Sequence, residues 1–119
     1  MQMETSARRK LRAELAHQLS RDARTKRKFE LLAGTFQALG DTTRVQIVWA
    51  LSRGELNVSE LASLMDMSQP AVSHHLRTLR NLGLVKVRRE GRASFYALDD
   101  EHIDRLLKEG ILHVEELLS

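Results

Sequence analysis

Apolar residues recur at steps of three and four along most of the chain, which is the spacing of one face of a helix. Ser68 can cap one of these helices, with Pro70 in its first turn, and Gly83 follows as its end signal. The pattern predicts helices over residues 6–19, 25–39, 42–52, 58–65 and 69–81, and a last helix that Asp99 or Asp100 caps and that ends near residue 118.

The spacing changes to two between residues 85 and 98. Residues 85–88 alternate apolar and basic side chains, and residues 93–98 are rich in β-forming types. Glu90, Gly91 and Arg92 lie between the two runs, where Gly91 can take the positive φ of a tight turn. One β-hairpin is therefore expected. Short helix, tight turn, longer helix and hairpin together predict a mainly α winged helix-turn-helix fold.

The composition limits the function classes. The chain has 119 residues, a length typical of one domain, and a core of that size is often completed by a dimer. It has no cysteine, which excludes disulfides, thiol nucleophiles and thiolate metal sites. No apolar run reaches the ~20 residues of a membrane helix, and the N-terminus lacks a signal-peptide core. We therefore expect a cytoplasmic protein with no membrane partner.

Charge divides the chain into three zones. Residues 1–28 hold nine Lys and Arg against three acids, residues 74–92 hold six against one, and residues 99–119 hold seven acids against two bases. We expect residues 1–24 to form a basic, partly helical N-terminal extension. Residues 25–119 should form the winged-helix DNA-binding domain, ending in a helix for dimerisation and metal binding. The basic zones favour a polyanion as partner and the acidic zone favours a cation. The alternative is that all three are solvated helix faces, and the N-terminal run taken alone favours this alternative.

The helix over residues 69–81 carries a polar stripe that suits DNA. Glutamine and serine can hydrogen-bond base edges, and arginine suits guanine or phosphate. The predicted DNA-binding residues are Gln69, Ser73, His74, Arg77 and Arg80 on the helix and Arg88, Arg89 and Arg92 on the hairpin. The alternative is an ordinary amphipathic helix followed by a charged hairpin. Two neighbouring elements of the same charge favour double-stranded operator DNA as the partner.

The last helix carries a candidate metal site. Asp100, His102, His113 and Glu116 offer the oxygen and imidazole ligands that suit Zn²⁺. His102 and His113 are 11 residues apart, about three turns. They share a face but lie ~16 Å apart along the axis. One helix therefore cannot bring both to one ion, because zinc–nitrogen bonds are only about 2.0–2.1 Å long.

Two such helices packed antiparallel about a twofold axis solve this problem. His102 of one chain would lie beside the partner's His113, and Asp100 beside the partner's Glu116, since both pairings have nearly the same centre at residues 107–108. Symmetry would then give two sites in a homodimer. The spacing alone leaves a second interpretation open, in which Asp100 caps the helix and the histidines are interface residues.

Several runs of residues resemble the ArsR/SmtB family of bacterial metal-responsive repressors. They occur in the family's order within residues 37–98 and include 38–44, 58–62, 69–76, 79–85 and the turn 89–92 that leads to Tyr96. The resemblance implies a winged-helix homodimer that represses an operon until an inducer binds. Asp-x-His followed by His-x-x-Glu on the last helix resembles the ligand pattern of the family's zinc sensors, and all four positions match.

The resemblance favours a zinc-responsive repressor. It implies that the apo dimer binds an operator, and that Zn²⁺ or Co²⁺ at the intersubunit sites lowers DNA affinity and derepresses metal efflux or sequestration genes. Some relatives hold a second, cysteine-based site near the start of the DNA-binding region, but Asn57 stands there. The alternative is a winged-helix regulator that does not sense metal. An enzyme is not expected, because four ligands would close the coordination shell and no catalytic motif is present.

Overall fold

The computed structural model describes residues 5–119. In chain order the elements are α1 (Ser6–Gln18), α2 (Ala23–Leu39), α3 (Thr42–Leu51), β1 (Leu56–Asn57), α4 (Val58–Met65), α5 (Gln69–Asn81), β2 (Val85–Glu90), β3 (Ala93–Leu98) and α6 (Glu101–Leu118). Contacts within the chain divide it into two units, one up to Gly34 and one from Thr35 to Ser119, so the division falls inside α2. The boundary expected after residue 24 stays a prediction.

The first unit contains α1 and most of α2. Thr5 caps α1, because its hydroxyl oxygen accepts the Arg8 N–H at 3.2 Å. Asp22 precedes α2 and accepts the Thr25 N–H at 2.8 Å. Hydrogen bonds from the Ser20 hydroxyl, and then from Thr25, lower the pKa of Asp22 to about 2. No residue of α1 is buried, so its two leucines and its basic side chains all face solvent in this chain.

The second unit has one apolar core, to which α3, α4 and α5 all contribute. Their predicted bounds are confirmed to within one residue, because each helix has both a capping residue and apolar positions at helical spacing. Burying one Leu, Ile or Val side chain of this kind stabilises a fold by about 1.5–3 kcal/mol. The largest fully buried side chains are Ile47, Val48, Leu61, Val72, Leu76 and Leu79.

Capping residues fix the start of α4 and the tight turn between α4 and α5. The Asn57 side chain accepts the Glu60 N–H at 2.8 Å, and the Glu60 carboxylate accepts the Asn57 N–H at 3.0 Å. This reciprocal pair satisfies two of the free donors at the start of α4. Asp66 then ends α4 in the left-handed region, with φ 52°, and Ser68 caps α5. The connection between the two helices is therefore three residues long, the short turn that a helix-turn-helix requires.

The predicted hairpin is confirmed, and a short third strand joins it. β2 and β3 pair antiparallel, with Val87 opposite Tyr96, and Gly91 has the expected positive φ of 60° in the turn. β1 pairs with the other edge of β3, with Leu56 opposite Tyr96, so the sheet order is β1-β3-β2. The hairpin is thereby fixed to the segment that leads into α4.

The last helix begins at a cap and is held to the core by a few apolar side chains. Of the two acids considered, Asp100 is the cap. Leu107 is buried in the same core cluster as α5, and Ile103 packs against it. Most other side chains of α6 are exposed in the single chain. Across residues 5–119, no helix is long and apolar enough to cross a membrane.

Candidate DNA interface and metal centre

The exposed face of α5 carries the predicted DNA-reading residues. Val72, Leu76 and Leu79 lie fully buried on one side of the helix. Gln69, His74, Arg77 and Arg80 are exposed and Ser73 is half-buried. Ser73, Arg77 and Arg80 line a cleft between α5 and Tyr96 of β3. The helix therefore presents hydrogen-bonding and cationic groups on one continuous face, which suits a DNA groove.

The tip of the hairpin lies beside the start of this face. Arg92 and Ser94 line a second cleft together with Gln69 of α5 and Ser59 of α4. Arg89 and Arg92 are both exposed. The β2–β3 hairpin is the wing of this fold. The cleft places Arg92, a cation at the tip of the wing, near the N-terminal end of α5. One protomer can thus contact base edges through α5 and phosphates through the wing.

Arg88 differs from the other predicted wing contacts because it is bound to carboxylates. Its guanidinium donates to Glu55 at 3.2 and 3.3 Å and to Glu90 at 2.8 Å. It also lies over the Phe95 ring, 5.0 Å from the ring centroid. The hydrogen bonds that Arg88 donates to Glu55, and then to Glu90, raise the pKa of Arg88 above its ordinary value. Its role in DNA binding stays a prediction, but two carboxylates compete with phosphate for its charge.

Asp100 and His102 form one half of the predicted ligand set. One carboxylate oxygen of Asp100 accepts the N–H groups of His102 at 2.9 Å and Ile103 at 3.2 Å. These two backbone hydrogen bonds lower the pKa of Asp100, and the bond from Ile103 has the larger effect. The Nδ1 atom of His102 lies 3.5 Å from the same oxygen. The helix cap therefore supplies an ionised carboxylate beside an imidazole that is 81% exposed.

His113 and Glu116 form the other half, three turns further along α6. They are three residues apart, so they lie on one face of the helix, and both are exposed. Along the axis, His113 lies ~16 Å from His102. Among residues 5–119, no three His, Cys, Asp or Glu side chains of one chain come together as a metal site. The four predicted ligands thus stand as two separated pairs.

Two leucines on the ligand face were missed by the sequence reasoning. Leu106 follows His102 by four residues and is 39% exposed, and Leu117 follows His113 by four and is 71% exposed. A Cβ atom added at Gly110, between them, would meet nothing within 4 Å. This face therefore has one leucine and open space between its two predicted ligand pairs, and a second leucine just beyond Glu116. Their four-residue spacing from the histidines could have indicated them, but the apolar stripe that predicts α6 runs through Leu107, on another side of the helix.

The fold and the polar face of α5 define a winged-helix DNA-binding domain, and comparison with known proteins gives its family. Residues 41–87 match the model of the bacterial regulatory proteins of the arsR family. A cadmium resistance transcriptional regulatory protein CadC homolog of Staphylococcus aureus is 46% identical over 89 residues, which is 74% of each chain. The transcriptional regulator NmtR of Mycobacterium tuberculosis is 49% identical over 86 residues, 72% of each chain. The chain belongs to the ArsR family.

A solved structure supports the same assignment. The homodimeric winged helix-turn-helix DNA-binding domain of a possible ArsR-family regulator from Mycobacterium bovis superposes with a TM-score of 0.77. It is 29% identical, and the match covers 83% of this chain and 92% of that one. The resemblance stated from the sequence motifs is therefore confirmed, as is the winged-helix fold. The relatives named here are transcriptional regulators.

Proposed function

We propose that this protein is a zinc-responsive transcriptional repressor that acts as a homodimer. The observation that carries the proposal is the placement of two ligand pairs at opposite ends of one exposed face of α6, in a chain whose α5 presents a DNA-reading face. The apo dimer binds operator DNA. Metal at the α6 face lowers that affinity and releases the genes for metal efflux or sequestration.

The exposed leucines support pairing through α6. Leu106 and Leu117 would remain in water in a monomer, at a cost of about 25 cal/mol for each Å² of apolar surface left uncovered. A second copy of α6 crossing antiparallel would cover them, because a twofold interface brings the same face of both helices together. The open space at Gly110 lets the helices approach closely near the centre of the pairing.

The donor chemistry supports zinc. The ligands would be Asp100 and His102 of one protomer with the partner's His113 and the partner's Glu116, two oxygens and two imidazole nitrogens. The chain has no cysteine, so the thiolate ligands that soft ions prefer are missing, although one relative is named for cadmium resistance. Zn²⁺ fits this mixed set, with Co²⁺ as the second choice. When bound, the ion supplies a cross-link between the two protomers.

The core explains how α6 can act on DNA binding. Leu107 of α6 belongs to the same buried cluster as Leu76 and Leu79 of α5. A change in how the two α6 helices cross would therefore move the two α5 helices relative to each other. A ligand shifts such an equilibrium only through different contacts in the two states, and couplings of this kind amount to about 1–3 kcal/mol.

Operator affinity with and without zinc tests the proposal. Zinc should weaken operator binding by wild-type protein by roughly 5- to 150-fold. His102→Ala should keep the apo affinity, because His102 lies on α6 away from the DNA face, but lose the response to zinc. Glu115→Gln is the matched control, since it removes a neighbouring carboxylate of α6 outside the ligand set. A normal zinc response in His102→Ala would refute the α6 site.

A regulator that does not sense metal is the second candidate. The observation in its favour is that Asp100 already has a structural task as the cap of α6, with its oxygen accepting two backbone N–H groups. In that case operator affinity would be the same with zinc and with a chelator. The same experiment therefore separates the two candidates.

A further inference from the structure

We propose that the basic N-terminal segment, residues 5–28, binds the phosphate backbone of DNA outside the operator. This inference rests on the proposed function, because it assumes that the winged domain delivers the protein to DNA. The partner is duplex DNA of any sequence that flanks the operator. The segment would add affinity without adding base specificity.

The charge of the segment is the first argument. Residues 5–28 contain nine Lys and Arg, and the acids among them are Glu14 and Asp22. Asp22 is engaged in hydrogen bonds with Ser20 and Thr25 at the start of α2. Arg8, Arg9 and Lys10 are all exposed. So dense a positive charge with so few carboxylates is complementary to a polyanion.

The position of the cations within α1 is the second argument. Arg8, Arg9 and Lys10 lie in the first turns of a helix whose first turn contains no acidic residue. The positive end of the helix macrodipole makes cations unfavourable there by a few tenths of a kcal/mol each. These residues therefore weaken α1 instead of stabilising it. A binding role explains their placement, whereas helix stability does not.

The faces of α1 argue for DNA over an acidic membrane surface. A helix that lies in a membrane needs one broad apolar face. Over its 13 residues α1 has only Leu11 and Leu15 as large apolar side chains. By helical geometry Arg8 lies within ~20° of Leu15, and Lys10 lies on the opposite side of the helix. The cations thus spread over about 200° of the circumference of α1 and reach the edge of its leucine side, which suits a phosphate backbone better than a bilayer.

The test compares two duplexes with the full-length protein. The short duplex has 24 base pairs and carries the palindrome that the protein selects from a random library. The long one adds 15 base pairs of unrelated sequence at each end. In 0.1 M salt the wild type should bind the long duplex about tenfold more tightly or better. In the variant Arg8→Gln/Arg9→Gln/Lys10→Gln that preference should fall to about twofold or less, with the short duplex bound as by wild type.

Two further proteins make the result specific. Arg8→Lys/Arg9→Lys keeps the charge and should keep the preference for the long duplex. Arg77→Gln removes a proposed contact of α5 and should weaken both duplexes by the same factor. A circular dichroism spectrum checks that the triple variant keeps its helices.

Each outcome decides one of the proposals. Equal affinity of wild type for the two duplexes would overturn this inference and leave the proposed function standing. A preference that persists in the triple variant would also overturn it. A third outcome would assign the segment to membranes instead. In that case wild type shows no preference for the long duplex but binds phosphatidylserine vesicles, and the triple variant does not bind them. Failure of the protein to enrich any palindrome from the random library would overturn both the proposed function and this inference.

Discussion

Two neighbouring arginines of the wing have different surroundings. Arg88 is in hydrogen-bond contact with Glu55, which precedes β1, and with Glu90 on its own strand. Side chains alternate along a strand, so Arg89 points to the other face of β2. Arg88 thus links β2 to the segment before β1, at the opposite edge of the sheet. The sequence predicts a phosphate contact for Arg88 from its place in the basic hairpin. It does not predict the contact with Glu55, because that carboxylate is 33 residues away along the chain.

This difference predicts different salt dependence for two matched variants. Each phosphate that a side chain neutralises adds about 0.9 to the slope of log affinity against log salt. Arg89→Gln should therefore reduce the slope by about 2 in a dimer. Arg88→Gln should leave the slope nearly unchanged and instead speed amide exchange in β2 and β3, and Glu55→Gln should do the same. If Arg88→Gln reduces the slope of log affinity against log salt as much as Arg89→Gln does, Arg88 contacts DNA directly.

At the scale of elements, capping residues and apolar spacing explain why the helices could be predicted. Ser68, Asp100 and Gly91 all stand where local chemistry demands a cap or a positive φ, and the structure uses them so. β1 was missed because it has two residues and exists only through pairing with β3, whose partner residues lie 38 and 40 positions further along the chain. No local pattern predicts so short a strand, because its hydrogen bonds go to a distant segment. A helix makes its hydrogen bonds within its own residues, so local sequence can predict it.

The cap of α3 gives a prediction about pH. Asp41 accepts the Arg44 N–H at 3.0 Å, and this bond, with smaller effects from Arg44 and His75 charge, lowers the pKa of Asp41. A carboxyl whose pKa is lower in the folded state stabilises the fold above its unfolded pKa, about 3.9, and loses that contribution as pH falls through the folded pKa. Asp41→Asn keeps a cap but cannot ionise.

Urea unfolding from pH 7 to pH 2 measures this effect. The variant should be less stable than wild type at pH 7, and the difference should shrink below the unfolded pKa of aspartate and vanish as the pH falls through the lower, folded-state pKa of Asp41. Ser68→Ala removes the uncharged cap of α5. Its loss of stability relative to wild type should therefore stay constant across the same pH range. A constant deficit for Asp41→Asn as well would mean that ionisation of Asp41 does not contribute to the stability of α3.

At the scale of the whole molecule, the proposed metal site would depend on a second copy of the chain. The four proposed ligand positions were chosen from the sequence by helical spacing together with the ligand pattern that the family resemblance implies. The surrounding surface could not, since whether Leu106 is covered or exposed depends on how α6 packs on its own core. The structure leaves Asp100 and His102 at one end of that face and His113 and Glu116 at the other. One chain thus holds two halves of the proposed site.

Complementation between two defective chains tests this arrangement directly. One chain carries Asp100→Asn/His102→Ala, in which asparagine preserves the helix cap, and the other carries His113→Ala/Glu116→Ala. Either homodimer lacks half of every site and should bind no zinc at the α6 face. A heterodimer purified through two different tags has one intact site and one site without ligands. It should bind about one zinc ion, against two for the wild-type dimer. If the heterodimer binds none while wild type binds two, the ligands do not combine across the twofold axis, and the site must be sought elsewhere in the chain.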